Sequence, residues 1–220
     1  MRNQVALTQQ VGHSSSLLNR RFKRHGLYGV LTLEVRDKQG RLVSRKEQFI
    51  NSYVRFLVFA FYNCFSTWDT PATLTDTGGT ARTLRQAQAQ ASVPFRATAA
   101  AGDATQGITV GTGTGAVAPS DNKLGTQIAH GTGAGQLSYG GMGFGSVSTT
   151  ATQTKLTMSR AFTNNSGNTI TIQEIGLYAC FMDSGNALRI FCLIRDLVAG
   201  GQAVLNGSTV TATLTLALTA

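Results

Sequence analysis

From Val210 onward the chain alternates: Val210, Ala212, Leu214, Leu216 and Leu218 stand at every second position, each separated by Thr or Ala. Successive side chains of a strand point to opposite faces, so an apolar period of two builds a half-buried strand and suits no helix. The same pattern recurs upstream. Leu156, Met158 and Phe162 share one parity, with Lys155, Thr157 and Ser159 on the other; Ile170 and Ile172 alternate with Thr169, Thr171 and Gln173. The cluster Asn164-Asn165-Ser166-Gly167-Asn168 between these runs reads as a turn, which makes them a hairpin with one buried face. A second turn, Asp183-Ser184-Gly185-Asn186, joins 177–182 to 188–197, and Asn206-Gly207 precedes the terminal strand. Strands and turns at this spacing indicate an antiparallel β-sandwich or barrel over residues 105–220.

Composition agrees. With 42% apolar and 13% charged residues in 220, the chain can bury a core, while 25 Gly, 3 Pro and abundant Thr argue against a helical bundle. Near the N-terminus Val30, Leu31, Leu33 and Val35 lead into Asp37-Lys38-Gln39-Gly40 and then Leu42 and Val43, a further hairpin. Asn51 or Ser52 is placed to cap a helix over Tyr53–Tyr62. Its apolar residues surround the whole circumference, so such a helix is buried on most sides by the sheet or by a neighbouring subunit. A buried strand is the competing reading. Residues 66–104, rich in Thr, Ala, Gln and Gly, hold too few large apolar side chains to order themselves and are expected to need a partner. Thirteen of the 25 glycines fall between Gly102 and Gly145, where Ile108 and Val110 mark a short strand and Leu137, Tyr139, Met142 and Phe144 an extended stretch. The expected protein is mainly β, an antiparallel β-sandwich with one packed α-helix, a long insertion and an extended N-terminal arm. The arm spans 1–26 and the β-rich domain 27–220, divided into hairpin and helix (27–65), insertion (66–104) and sandwich (105–220).

Charge is unevenly placed. The net charge is +9, and the first fifty residues hold ten bases and three acids, so +7 lies there and +2 on the rest. Within the arm Arg20, Arg21, Lys23 and Arg24 surround Phe22, an arrangement able to neutralise phosphates and stack a base. The nearly neutral body offers no basic face to continue that footprint, so a protein neighbour is the favoured partner and nucleic acid the disfavoured one. Arg82, Arg85 and Arg96 in the insertion join the arm as candidate partner-binding residues.

Catalytic and cofactor motifs do not emerge. Gly111-Thr112-Gly113-Thr114-Gly115 lacks the third glycine and the following helix of a dinucleotide site, with Ala116 and Pro119 in their place, so a tight turn is the better reading. Glu174, Asp183 and Asp196 lie on or beside strands near Arg189 and Arg195, where cross-strand ion pairs account for them. Cys64, Cys180 and Cys192 have no metal-ligand spacing; Cys180 and Cys192, near opposed positions of one hairpin, read as small buried hydrophobes. No catalytic residue, metal or cofactor is expected, and the protein is read as no enzyme. No secretory signal is apparent, and the longest apolar run, Tyr53–Phe65, carries Arg55 and falls short of the roughly 20 residues that span a bilayer. Reduced thiols and cytoplasmic assembly are expected.

The order of segments resembles a class of tailed-bacteriophage virion proteins, which run from a hairpin through an Asn-started apolar helix to a glycine-rich V-G-T-G…P-x-x-x-x-L…I segment. They close with F-x-x-x-S-G-x-x-I-x-I-x-E-I-G-L-Y and a Thr-rich strand. The matching residues are Asn51–Phe65, Val110-Gly111-Thr112-Gly113, Pro119 with Leu124 and Ile128, Phe162–Tyr178, Leu193–Leu197 and Asn206–Leu218. The E-I-G-L-Y stretch is also similar to strand-turn regions of phage tail-fibre and baseplate proteins. The resemblance implies a non-enzymatic virion component, assembled in the host cytoplasm with copies of itself and other virion proteins; its expected place is the tail, as a tail, baseplate, connector or fibre-attachment part. A capsid decoration protein and a receptor- or glycan-binding β-sandwich module are the alternatives.

Overall fold

The computed structural model describes residues 26–50, 52–65, 73–84 and 96–219. In chain order the elements are β1 (Gly26–Arg36), β2 (Leu42–Ile50), α1 (Arg55–Phe65), β3 (Thr73–Thr75), β4 (Ala81–Thr83), β5 (Gly107–Gly111), β6 (Ser138–Phe144), β7 (Ser148–Thr149), β8 (Gln153–Thr163), β9 (Ile170–Met182), β10 (Leu188–Val204) and β11 (Thr209–Thr219). The protein is mainly β and antiparallel. A larger sheet runs β2-β1-β11-β8-β6, with β7 also on β8, and a smaller one runs β10-β9-β5. The parity read from the terminal strand holds where the sheets overlap: Val210, Ala212 and Leu214 share one buried cluster with Leu31, Leu33 and Phe162, and with Ile172, Leu177 and Val198 of the smaller sheet. Fully burying one such Leu or Ile stabilises by roughly 1.5–3 kcal/mol.

Alternation fixed which side chains face inward, but not which strands pair. The turn Asn164–Asn168 is not a hairpin: β8 pairs with β11 and β6, β9 with β10 and β5, so the turn carries the chain between sheets. Asn164, fully buried, holds this crossover, its Nδ2 donating to the carbonyls of Asn168 (2.8 Å) and Val204 (2.7 Å) and its Oδ1 accepting from the Ser166 amide (3.0 Å). The N-terminal hairpin is integral to the larger sheet, because β1 lies between β2 and β11. The helix begins two residues later than expected. Tyr53 bridges Ile194 instead, the Arg55 amide donates to the Pro119 carbonyl (2.9 Å), and the Ser52 hydroxyl reaches Asp196 (3.3 Å); Asn51 lies outside the described residues. Phe56 and Ala60 of α1 are buried, Phe56 stacked on Phe191, whereas Val58 on the outer side is 68% exposed.

Two described parts of the 66–104 stretch, 73–84 and 96–104, rest on the chain's own sheet. Leu74 and Leu84 are buried in the core, Leu84 bridges Asp183, and Arg96 bridges Cys180. Successive segments thus extend along the free edge of β9 beyond β5. In the first of these parts the β3–β4 hairpin supplies the backbone partners. Three hairpin tips use one device. The amides of Asp37, Asp76 and Asp183 each donate to the carbonyl of the residue four positions on, whose own amide donates back to Oδ1 at 2.9–3.0 Å, while Oδ2 takes an arginine Nε from Arg41, Arg82 and Arg189 respectively. The fourth residue of each turn has positive φ, at Gly40 (78°), Gly79 (85°) and Asn186 (65°), residue types that accept it.

Candidate functional site

The glycine-rich segment wraps a buried carboxylate of its own chain. Glu174 sits on β9 opposite Gly111, entirely removed from solvent. A carboxylate has about four acceptor sites, and here each is taken. Oε1 accepts from the amides of Gly113 (3.1 Å) and Thr126 (2.7 Å), and Oε2 from the Gly125 amide (3.0 Å) and Arg195 Nε (3.0 Å). Glycine is required by close approach. A Cβ at Gly111 would lie 2.5 Å from the Thr126 carbonyl oxygen and 2.6 Å from Oε1, and one at Gly113 would collide with Oε1. The segment read as a plain turn therefore forms an anion cradle whose occupant is internal.

Arg195 completes the arrangement. It stands two residues along β10 from the position opposite Glu174, so both side chains share one face. Beyond Glu174 it donates to Asp121 Oδ2 (2.7 Å) and to the carbonyls of Ala116 (3.3 Å) and Gly115 (3.0 Å). Burial works against its charge, but the bonds to Asp121 and Glu174 outweigh that and raise its pKa. Asp121 also accepts the Ala118 amide (2.8 Å). The Tyr178 hydroxyl accepts the Leu124 amide (2.6 Å), burial raising that phenol's pKa, and Gly176 leaves room for Leu124, which would stand 3.1 Å from a Cβ there.

A second buried arginine, which the sequence did not single out, fixes the other end of the segment. Arg160 on β8 is 1% exposed, lies 4.8 Å from the Tyr139 ring centroid, and donates to five backbone carbonyls: Gly140 (2.8 Å), Gln106 (2.9 Å), Ile108 (3.0 Å), Ala100 (3.2 Å) and Asp103. A guanidinium has five N–H donors, so the contact set saturates it without a carboxylate. Burial lowers its pKa, with Tyr139 and Asp103 opposing. Only its place at inward parity among Met158 and Phe162 could have flagged it.

Of the candidate partner-binding residues, Arg82 and Arg96 lie in the described part. Arg82 is drawn into an alternating ladder with Asp76 (2.9 Å), Asp183 (3.9 Å) and through it Arg189 (2.8 Å), lining an open groove of about 400 Å³ in which these charges neutralise one another. Arg96 is exposed and contributes its backbone to β9. Arg20, Arg21, Lys23, Arg24 and Arg85 lie outside the described residues. The expected ion pairs Glu174–Arg195 and Asp183–Arg189 are present. Cys180 and Cys192 are buried free thiols, offset along the hairpin: Cys180 faces Ile190 and Cys192 faces Tyr178. Among the described residues no helix is long and apolar enough to cross a membrane. No family model, curated protein or solved structure matches the chain.

Proposed function

We propose that this protein is a non-enzymatic structural component of a tailed-phage virion, associated with the tail and acting through assembly with copies of itself and other virion proteins. One observation carries the reading. The residues through which the sequence resembles virion proteins include Gly111, Gly113, Leu124, Glu174, Gly176, Tyr178 and Arg195, which meet in a single interior fastening. A pattern of that kind secures a loop to a sheet; its charged groups face one another, where a reaction centre would turn them toward a substrate.

Quantitative peptide mass spectrometry of purified particles tests the proposal. A few copies for each particle, retained on isolated tails, is the expected result. Hundreds of copies on tail-less heads would make it a capsid decoration protein, and absence from purified particles would overturn the virion reading.

A further inference from the structure

The inner face of the larger sheet runs on past the smaller sheet that covers it. Following the register across β1, β11 and β8, the row Leu31, Leu214, Met158 is covered, the next row holds Gly29, Leu216 and Leu156, and the last holds Leu27 and Leu218. Leu214 is 2% exposed, Leu216 and Leu156 are half-buried, and Leu218 and Leu27 are 56% and 51% exposed on the same parity. Phe144, opposite Met158 on β6, is 48% exposed and extends the patch across the sheet. A core face thus continues into solvent at one end.

We infer that this patch is the docking surface for the chain's own N-terminal segment, with Leu17, Leu18 and Phe22 as the side chains that cover it. Leu27 belongs to the patch, so the 25 residues before Gly26 enter the fold at its border. Phe22 lies five residues before Leu27, a reach of up to roughly 17 Å for extended chain, and Leu17 lies ten before it. The patch from β1 to β6 is three strand spacings wide, about 14 Å. The segment therefore reaches all of it without strain, at the high effective concentration of a short tether. A second copy is the poorer occupant. Two patches meeting face to face would bring two sets of Arg20, Arg21, Lys23 and Arg24 together, and the like charges oppose it. Docked in its own chain, the segment keeps its apolar residues on the patch while the flanking cations reach water. This contact holds whether or not the protein belongs to a virion.

Engineered crosslinking of the full chain tests the contact. Two double variants, Phe22→Cys with Leu218→Cys and Leu17→Cys with Phe144→Cys, are oxidised at low protein concentration and mapped by peptide mass spectrometry, with each single variant as control for Cys64, Cys180 and Cys192. A link within the monomer, in at least one pair and independent of concentration, is expected. Links only between chains that grow with concentration would give the patch to a second copy, and no link in either pair would overturn the inference. The substituted patch residues are exposed, so folding survives. In parallel, Leu17→Asp, Leu18→Asp and Phe22→Asp combined should give a several-fold rise in fluorescence of a hydrophobic-surface dye; unchanged fluorescence counts against the contact.

Discussion

Arg160 and Arg195 are both buried and both fasten the glycine-rich segment, yet they are neutralised in opposite ways. Arg195 meets two carboxylates, one of them with no solvent exposure; Arg160 meets five carbonyls and no carboxylate. The difference lies in what is left behind on removal. Without Arg195, the Glu174 charge stays inside the fold with only amide donors. Without Arg160, the charge leaves with the side chain, and most of the carbonyls belong to residues of 100–106 and 140 that are already partly exposed, free to turn to water. A buried arginine is therefore dangerous to remove in proportion to its anionic partner, not to its number of hydrogen bonds.

The largest effect follows from that contrast. Arg195→Met should cost about 3–5 kcal/mol, the usual loss when one member of a buried pair is removed. Arg160→Met should cost less, on the order of 2 kcal/mol, with loss of amide protection confined to the 100–108 loop and β6. Urea midpoints and hydrogen exchange read both. Equal losses, or a larger loss at Arg160, would break the comparison.

Sequence alone made the second site half legible and the first invisible. Glu174 and Arg195 are acid and base on paired strands, so an ion pair followed from the hairpin that Asp183-Ser184-Gly185-Asn186 signals. The cradle around it did not, because Gly113, Gly125 and Thr126 offer backbone amides, which no residue type advertises. Arg160 drew no reading from the sequence, since its partners are backbone carbonyls far along the chain. The β8–β9 connection was misread as a hairpin because period-two alternation records burial and is silent on pairing. The β3–β4 hairpin was overlooked although Asp76-Thr77-Gly78-Gly79 repeats the spacing of Asp37-Lys38-Gln39-Gly40: three-residue strands are too short for a period to register.

Pairs of a buried aspartate with a partly exposed arginine sharpen the scale from below. Burial pushes the carboxyl of Asp183 up, but the Arg189 guanidinium and the Ala187 amide outweigh it and hold it below 3.8; at Asp76 burial is likewise outweighed by the Thr80 amide and Arg82. A depressed folded-state pKa contributes stability above the unfolded value, lost as pH falls through the folded one. The melting temperature should therefore fall as pH drops below about 4. Asp183→Asn should flatten that fall while costing less at pH 7 than either arginine variant, Arg189 being partly exposed. A pH slope unchanged by Asp183→Asn would remove Asp183 from the acid response.

The smallest effect is a rate, and it distinguishes the two arginines without unfolding the protein. Cys192 is 1% exposed, and burial, reinforced by Asp121, pushes its thiol up to about 12. At pH 8 it is a protonated, covered thiol, so alkylation must wait for an opening of the fold. It shares a small enclosed space with Asp121, Asn122, Phe56 and Leu74, and its Sγ donates to the Ile194 carbonyl (3.2 Å), next to Arg195. Freeing Asp121 and the 113–126 loop from Arg195 should open that space locally, whereas Arg160 acts on the far side of the segment. Peptide-resolved alkylation in native buffer should therefore be faster at Cys192 in Arg195→Met than in Arg160→Met, by more than the two stabilities account for. If Cys192 instead labels in proportion to global stability in both variants, the two fastenings are one cooperative unit and the division between them fails.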